Sequence, residues 1–390
     1  MAIRDVVRSL VIQVAARRVA PKGGRVSSRP KSILLIRPDH LGDVLFLTPA
    51  LRALRAAQPE AKITLLVGPW AKGLLTLNSD VDEVETLNFP WFNRKSKKGL
   101  FQPYKLLQEE AAGLKGRFDS AIICRFDHWW GAWLAAAAGI ERIMGYNVPN
   151  VAPFLTEKVS YIPGQHEVVQ NLTLTSLLGT PATTTPQELP LRYEVTGQHR
   201  FKARQLLNGS GLMRVDGPLA AIHPGSGALV KHWEVAQWGH LMDTLRQKHG
   251  FQFVITGGPS EILLGTKVVR SASEDTPVAS LAGETSLPEL AALYERCELV
   301  IGPDSGPLHI AAAMQRPTVH LYGPVNPRTF GPWGDPKKHL VVTQSLACQY
   351  CNRLDWKKEE LPEHPCITKM PFHMVLGAAE RLIGKATTNS

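Results

Sequence analysis

The sequence has few cysteines and no long apolar run, and both features limit what the protein can be. It contains five cysteines in 390 residues, a small odd number that does not suggest a disulfide framework and instead indicates a reducing cytoplasm. No apolar run approaches the roughly 20 residues with which a helix crosses a bilayer. The hydrophobic content of 44% is typical of a globular protein, and the length allows two domains that each bury a core.

Acidic residues are nearly missing from the first 31 positions. Eight Lys and Arg residues stand there against Asp5 alone, and eight minus one gives +7 of the total net charge of +10. The remainder of the chain is close to neutral. This distribution argues against a nucleic-acid-binding surface, and no nucleic-acid partner is expected.

Residues 2–19 predict a basic amphipathic helix. Its apolar positions recur at helical spacing, at Ile3, Val6, Val7, Leu10, Val11 and Val14. Such a helix can lie on an anionic membrane surface. A secretory signal fits less well, because Gln13 interrupts the apolar part and Arg17 and Arg18 stand where a cleavage site would be. The alternative is a helix packed on the body of the protein or a loose extension, and the Gly- and Ser-containing stretch 22–30 is then a linker.

From residue 32 onward, apolar strands alternate with helices, which predicts an α/β fold with doubly wound sheets. In the first half the strands are 32–36, 63–67, 84–87 and 121–124, and the helices are 44–57, 104–114 and 129–138. An irregular middle follows, with a helix at 166–178 and a Thr- and Pro-rich linker at 180–186. The second half predicts strands at 219–222, 251–256, 299–301 and 317–321, and helices at 234–248, 261–272, 286–297, 371–382 and from Leu308 onward.

These patterns predict four segments. They are the N-terminal helix and linker (1–31), a first Rossmann-like domain (32–185), a second Rossmann-like domain (186–370), and a C-terminal helix and tail (371–390). The basic loop 93–99 of the first domain faces either an acidic substrate or solvent.

The stretch from Leu299 to Met314 predicts a strand, a tight turn and a helix. Ser305 suits the N-cap, Gly306 removes side-chain bulk, and a proline follows in the first turn. A helix that starts in this way presents backbone N–H groups and a positive dipole end, which favour a phosphate. Asp304 can accept from a ribose hydroxyl, and His309 lies one turn into the helix. The alternative is a well-capped core helix with nothing bound.

Two further loops of the second half follow strands, and ligands bind beyond the carboxyl ends of strands in open α/β sheets. The loop 223–231 contains Ser226 and Gly227, whose backbone can approach an oxyanion, and Lys231, which adds a positive charge. Gly258 follows the next strand, and Glu261 either accepts from ribose or starts a helix. Neither half has a Walker A loop or a GxGxxG motif after its first strand, which disfavours an NAD-dependent dehydrogenase.

The first half offers two carboxylates after its first strand, Asp39 and Asp43. One of them is a candidate general base for a cleft, and Asp43 is favoured over Asp39. The alternative for Asp43 is an N-cap of the following helix, worth about 1 kcal/mol. Cys348, Cys351 and Cys366 would form a structural zinc site if His364 joined them, but reduced thiols are the simpler interpretation.

With both halves in view, the chain resembles the bacterial heptosyltransferases of glycosyltransferase family 9, which transfer heptose from ADP-heptose to the inner core of lipopolysaccharide. The resemblance covers residues 32–335. It rests on the segments 33–44, 222–227 with Lys231 and Trp233, 257–261, 281–283, 302–313 and 321–324.

The resemblance implies the GT-B fold, with two Rossmann-like domains facing each other across a cleft, the acceptor held by the first and the donor by the second. It implies an inverting transfer that needs no metal or other cofactor. Asp43 would deprotonate the acceptor hydroxyl, and the acceptor side would also include Arg37, Asp39 and His40. The diphosphate would be held by Ser226, Gly227, Lys231 and the amides of Ser305 and Gly306, with Gly258, Glu261, Asp304 and His309 near the nucleoside.

The sequence therefore predicts a cytoplasmic glycosyltransferase, peripheral on the inner face of the membrane, that moves a sugar from a nucleotide donor such as ADP-heptose to a lipopolysaccharide core or another lipid-linked glycan. Two alternatives stay open. A nucleotide-sugar epimerase of the same architecture would act on the donor without an acceptor, and a non-catalytic protein would bind the nucleotide sugar without turnover.

Overall fold

The computed structural model of the chain describes residues 3–21, 29–92, 99, 101–212 and 216–386. The chain divides into two compact units, Met1–Thr184 (unit 1) and Thr185–Ser390 (unit 2). The basic loop 93–99, apart from Gly99, and residues 22–28 of the linker lie outside the described residues.

Unit 1 contains a parallel sheet. In the described part of the chain its strands are β1 (Ser32–Arg37), β2 (Lys62–Val67), β3 (Glu83–Thr86), β4 (Ser120–Ile123), β5 (Arg142–Tyr146) and β6 (Glu157–Val159). Their order is β3-β2-β1-β4-β5-β6, and every pairing is parallel. The direction of winding reverses beside β1, so the loops after β1 and β4 meet at the switch point where such sheets bind ligands.

The helices of unit 1 follow the strands along the chain. They are α1 (Ile3–Val19), α2 (Leu41–Leu45), α3 (Thr48–Ala57), α4 (Lys72–Leu75), α5 (Gln102–Leu114), α6 (Trp129–Ala137) and α7 (Glu167–Thr175), with 3₁₀ turns at Pro69–Ala71, Ala152–Phe154 and Ser176–Leu178.

The stretch predicted as one helix at 44–57 is helical, but the structure divides it between two helices, α2 and α3. Pro49 in the first turn of α3 has no N–H to donate to a preceding carbonyl. The hydroxyl of Thr48 donates instead to the Leu45 carbonyl at 2.8 Å. The resulting break separates the short helix that carries Asp43 from the core helix behind it.

Helix α1 packs on unit 1 through a face that differs from the predicted apolar stripe. Ile12 and Ala16 are buried, while Leu10, Val11 and Val14 of the predicted apolar stripe are exposed. The helix contacts α6 and the 3₁₀ turn Ala152–Phe154. Within the described residues, no helix has the length and apolarity needed to cross a membrane.

Unit 2 repeats the winding of unit 1. Its described strands are β7 (Leu219–Ile222), β8 (Gln252–Ile255), β9 (Val278–Ser280), β10 (Leu299–Pro303), β11 (Thr318–Tyr322) and β12 (His339–Thr343). They are parallel and run in the order β12-β11-β10-β7-β8-β9. The switch point lies between β7 and β10, and β8 is the next neighbour of β7, so the three loops singled out in this half emerge side by side.

The helices of unit 2 are α8 (Gly197–Gly209), α9 (Val235–His249), α10 (Ile262–Val269), α11 (Leu287–Tyr294), α12 (Gly306–Ala313), α13 (Pro327–Phe330) and α14 (Phe372–Ala386), with 3₁₀ turns at Leu229–Lys231, Pro259–Glu261 and Lys358–Glu363. Helix α14 contributes Val375 and Ala379 to the core of this unit. Trp233 fixes the segment that precedes α14, since its Nε1 donates to the Met370 carbonyl at 2.9 Å.

Candidate active site

Arg37, the last residue of β1, is the centre of a buried ion network in unit 1. Its side chain is 2% exposed. The guanidinium Nε lies 2.7 Å from Asp39 Oδ2, and Nη2 lies 2.7 Å from Glu167 Oε1. Nη1 donates to the Cys124 carbonyl and to Asn171 Oδ1. A guanidinium has five donors in a fixed fork, and this one joins the ends of β1 and β4 to helix α7.

Asp39 is held as an anion inside this network. It is 3% exposed, and burial alone would raise its pKa. The guanidinium groups of Arg37 and Arg125 outweigh that effect and lower the pKa, since Arg125 also pairs with Asp39. A carboxylate that two cations hold in this way is a poor proton acceptor.

Asp43 is the more accessible carboxylate of the pair. Its side chain is 30% exposed, and Oδ1 lies 3.7 Å from Arg37 Nη2. Burial of its carboxyl group and the neighbouring charges of Asp39 and Glu167 raise its pKa to about 7, against the opposing effect of Arg37. A base with a pKa near the working pH is best suited to take a proton in a transition state.

The N-cap alternative for Asp43 is wrong. His40 occupies the N-cap of α2, and Asp43 is the third residue of that helix. The carboxylate therefore does not cap the helix. Two carboxylates with pKa values driven apart by their surroundings are a frequent mark of acid–base chemistry.

The three residues assigned to the acceptor side occupy different environments. Arg37 and Asp39 are buried and engaged by other groups of unit 1, whereas His40 is exposed beside Trp70, with 5.5 Å between ring centroids. Trp70 Nε1 donates to the Asp39 carbonyl at 2.8 Å. Of the three, His40 and Trp70 beside it offer surface to a ligand, and the two buried residues position Asp43.

We expect Arg37→Met to lower the free energy of unfolding by about 3–5 kcal/mol, because it leaves the Asp39 and Glu167 carboxylates buried beside an apolar side chain. Urea unfolding of the full chain, followed by circular dichroism, measures the change. Arg200→Met removes an exposed Arg–Glu pair and serves as the matched control, with a cost of about 0–1 kcal/mol. Equal costs for the two variants would contradict a structural role of the buried network.

In unit 2, Lys231 and Asp304 form a partly buried ion pair across the switch point. Lys231 Nζ lies 2.6 Å from Asp304 Oδ2 and 3.4 Å from the Asp304 carbonyl oxygen. Lys231 ends the 3₁₀ turn after β7, and Asp304 follows β10 directly. An ammonium carries three donors, so the lysine can bind Asp304 and still offer a proton to an anion.

Asp304 is held as an anion by its two neighbours. Burial would raise its pKa, but Lys231 and His309 hold the pKa well below the usual range. His309 Nε2 lies 3.6 Å from Asp304 Oδ1. The structure therefore places Asp304 against Lys231 and His309, where it orients the lysine.

Helix α12 begins at the same edge of the sheet. Ser305 is at the N-cap with extended backbone, and a proline lies in the first turn. Within the described residues, however, the Ser305 side chain makes no capping hydrogen bond and its buried Oγ has no partner. The predicted N-cap position of Ser305 is confirmed, but its hydroxyl makes no hydrogen bond to the helix. The first N–H groups of a helix lack intrahelical partners and attract anions.

The loop after β7 is held close to the loop after β8. A β-carbon on Gly225 would lie 1.8 Å from Glu261 Oε1, so any larger residue there would displace the Glu261 carboxylate. Glu261 Oε2 accepts from the Gly258 amide at 2.7 Å. Glu261 therefore closes a helix start, which is one of its two predicted roles, and braces the loop 223–231.

Ser226 is engaged within its own loop. Its amide donates to His232 Nε2 at 3.2 Å, and its Oγ donates to the Ala228 carbonyl at 2.8 Å. Gly227 lies between these contacts. The loop is thus folded compactly over the end of β7 beside Lys231.

Sequence reasoning misses several residues of the network in unit 1. Arg125 follows β4, so the rule that ligands bind at carboxyl ends of strands would identify it. Glu167 lies in the first turn of α7 and reaches Arg37 across 130 positions of sequence. No local pattern marks it, because its role depends on the packing of α7 against the sheet.

The cysteines do not form a metal centre in the part of the chain that is described. Cys348 and Cys351 are exposed and Cys366 is buried, all as free thiols. No group of three potential ligands is close enough there to hold a metal ion. His364, the predicted fourth ligand, is stacked on Trp356 with 3.4 Å between ring centroids.

Comparison with known proteins gives consistent matches. The sequence model of glycosyltransferase family 9 (heptosyltransferase) matches residues 111–357, more than half of the chain, although the match begins after the loop that carries Asp43. The chain is 26% identical over 347 residues to "Lipopolysaccharide heptosyltransferase 3" of Escherichia coli K12, covering 88% of this chain and 95% of that protein.

Solved structures show the same fold. A glycosyl transferase family 9 protein from Veillonella parvula superposes with a TM-score of 0.73 at 25% identity, covering 91% of this chain and 97% of that one. The E. coli ADP-heptose LPS heptosyltransferase II gives a TM-score of 0.68 at 22% identity, covering 91% and 99%. The predicted α/β class and GT-B fold are confirmed by these matches and by the two parallel sheets.

Proposed function

The chain belongs to glycosyltransferase family 9, the heptosyltransferase family, and we propose that it transfers heptose from ADP-heptose to a lipopolysaccharide core or another lipid-linked glycan with inversion at the anomeric carbon. The glycosyltransferase class follows from the family. The sugar and the acceptor are inferred from relatives whose names specify ADP-heptose and lipopolysaccharide. The observation that carries the mechanism is the meeting of Lys231, Asp304 and the start of α12 at the switch point of unit 2.

Unit 2 binds the donor in this proposal. The leaving diphosphate gains negative charge as the sugar departs, and Lys231 with the amides of Ser305, Gly306 and Gly227 meets that charge. Groups that are already oriented cost no reorganisation at the moment of reaction. Asp304 and His309 fix the ammonium, while Gly258 and Glu261 shape the loop beside the nucleoside. These residues supply the electrostatic stabilisation in a mechanism that uses no metal.

Unit 1 provides the base. Asp43 takes the proton of the acceptor hydroxyl while that oxygen bonds to the anomeric carbon and the bond to the diphosphate breaks. Its accessible carboxylate and raised pKa suit this step better than those of the buried Asp39, whose pKa is lowered. Arg37 and Glu167 act on the reaction through Asp43 and are positioning residues, and His40 contributes to the acceptor side.

In this proposal the reaction takes place at the cytoplasmic face of a membrane. A lipid-linked acceptor stays in the bilayer, so the enzyme must come to it. The exposed apolar residues and arginines of α1 support peripheral binding to an anionic surface. Localisation in the cytoplasm and on the inner face of the membrane is part of this proposal.

Product analysis with and without acceptor tests the function. ADP-heptose is incubated with the chain and a lipopolysaccharide core that lacks the heptose, and ADP release and the mass of the acceptor are followed. We expect ADP release that depends on acceptor and a mass gain of one heptose, with NMR showing the inverted anomeric configuration. A modified donor sugar without acceptor would indicate an epimerase instead, and tight donor binding without any turnover would indicate a binding protein.

A further inference from the structure

The exposed side of α1 borders a groove in unit 1. Ile12 and Ala16 anchor the helix in the core, and this leaves Leu10 66% exposed and Val14 44% exposed. With Val11, which is 41% exposed, they form a contiguous apolar surface, and surfaces of this kind mark interaction sites more often than isolated apolar residues do. The helix therefore has one face committed to the fold and a second apolar face beside the groove.

The groove is a cavity of about 570 Å³ between α1, α5 and α6. Val14 and Ala15 of α1 line one wall, and Leu107 of α5 with Trp133 and Ala137 of α6 lines the other. This volume is within the range of about 300–1,000 Å³ that is typical of small-molecule sites. Its walls are mostly apolar, with Arg18, Tyr104 and Gln108 adding a few polar groups, so it suits a hydrocarbon chain with a polar end rather than a sugar or a nucleotide.

Aromatic side chains surround the far wall. Trp133 contacts Tyr104 of α5, with 5.7 Å between ring centroids, and stacks on Phe154 at 6.0 Å. Trp129, one turn before Trp133, contacts the Trp133 ring on one side and the ring of the partly exposed Trp91 on the other. Trp and Tyr rings of this kind are enriched where an apolar layer meets water.

Positively charged side chains lie at one end of α1, beside the groove. Arg18 lines it, and Arg17 and Arg18 are both exposed in the last turn of α1. The helix sequence contains four arginines and one aspartate, so four minus one gives +3. A second copy of this chain would bring the same charge to the same place, and a neutral hydrocarbon would gain nothing from the arginines. Charge complementarity therefore selects an amphiphile with an anionic head.

We propose that this groove, between α1, α5 and α6, binds one acyl chain of an anionic membrane phospholipid, with the lipid phosphate at Arg18. The proposal rests on the peripheral membrane association proposed above and makes it specific. The acyl chain already lies in the hydrocarbon of the bilayer, so the gain comes from the protein side. A chain in the groove covers the apolar groove walls, which a helix that only lies on the surface leaves in water.

Quenching by brominated lipid tests the occupant directly. The full chain is mixed with vesicles of phosphatidylglycerol whose acyl chains carry bromine, and tryptophan fluorescence is compared with that in unbrominated vesicles. We expect quenching that is largely lost in Trp133→Phe, because Trp133 lines the groove. Vesicle binding without quenching of Trp133 would overturn the proposal in favour of simple adsorption of α1.

Filling the groove gives an independent test. Ala137→Phe and Ala15→Phe, checked for folding by thermal unfolding, should each weaken sedimentation with phosphatidylglycerol vesicles by roughly tenfold or more, equivalent to about 1.4 kcal/mol. Leu263→Ser, which removes an exposed apolar residue of unit 2, is the matched control and should bind as the unaltered chain does. If both folded Phe variants keep full affinity, the groove does not take the acyl chain.

The quenching and sedimentation experiments test this proposal separately from the proposed function. Vesicle binding and quenching are measured without donor or acceptor, so they do not depend on turnover. A chain that transfers heptose to a short soluble acceptor but shows no quenching would retain the proposed function and lose the groove. Equal binding to phosphatidylcholine vesicles would also contradict the proposal, because the head group at Arg18 must be anionic.

Discussion

Asp43→Asn should lower kcat by about 10²–10⁴-fold while the donor dissociation constant changes little. General-base catalysis contributes an acceleration of this size, and the amide of asparagine cannot accept the proton. The fold should survive, because Asp43 is the more accessible of the two carboxylates, lies 3.7 Å from Arg37, and Asn keeps its size. Steady-state transfer from ADP-heptose gives kcat, and calorimetric titration of the donor gives the dissociation constant.

The control for this variant is Asp275→Asn, which removes one exposed carboxylate from unit 2 and should leave kcat as it is. Asp39→Asn is informative in a different way, since it removes a carboxylate held by two guanidinium groups. We expect it to reduce stability first and activity as a consequence. Full turnover by Asp43→Asn would move the role of base to another group.

Lys231→Met should have the second large effect, on both activity and stability. The loss of one oriented donor to a developing negative charge lowers kcat by about 10²–10³-fold. The same change leaves Asp304 buried without its ammonium, and the loss of one partner from a buried pair costs about 3–5 kcal/mol of unfolding free energy. Transfer assays and urea unfolding of the full chain measure the two effects separately.

A double variant separates the two roles of Lys231. In Lys231→Met with Asp304→Asn, the uncompensated charge is gone, so we expect most of the stability to return. Activity should stay low, because no ammonium meets the diphosphate. If activity returned together with stability, Lys231 would be a structural partner of Asp304 and not a group that binds the leaving diphosphate.

The candidate site could be predicted from the sequence where local pattern and sheet chemistry agree. Asp43 of unit 1, and Lys231 and Ser305 of unit 2, all follow apolar strands, and within each unit a parallel sheet brings the segments after its strands to one edge of that sheet. The fold class follows from the same alternation. The strands β5, β6, β9 and β12 escape prediction, because runs of three to five residues, partly polar, resemble loops.

Which residues form pairs with one another could be learned only from the folded structure. Asp304 and Lys231 are 73 positions apart, and only the order of β10 beside β7 makes them partners. The resemblance assigns Arg37 to the acceptor side, yet Glu167 and Asn171 from α7 bind its guanidinium in the fold. In α1, the predicted apolar stripe is visible in the sequence, but the face that anchors the helix is a second set at helical spacing, Ile12, Ala15, Ala16 and Val19, which that stripe does not include.

The most direct measurement of the central claim is the pH dependence of the single-turnover rate at saturating donor. The base must be deprotonated to act, and its pKa is raised to about 7, so activity is lost as the pH falls through that value. We predict a rate that falls about tenfold per pH unit below pH 7 and is level above it. This decrease below pH 7 should be absent in Asp43→Asn. A rate independent of pH between about 5.5 and 8, or the same decrease in the Asn variant, would contradict Asp43 as the base.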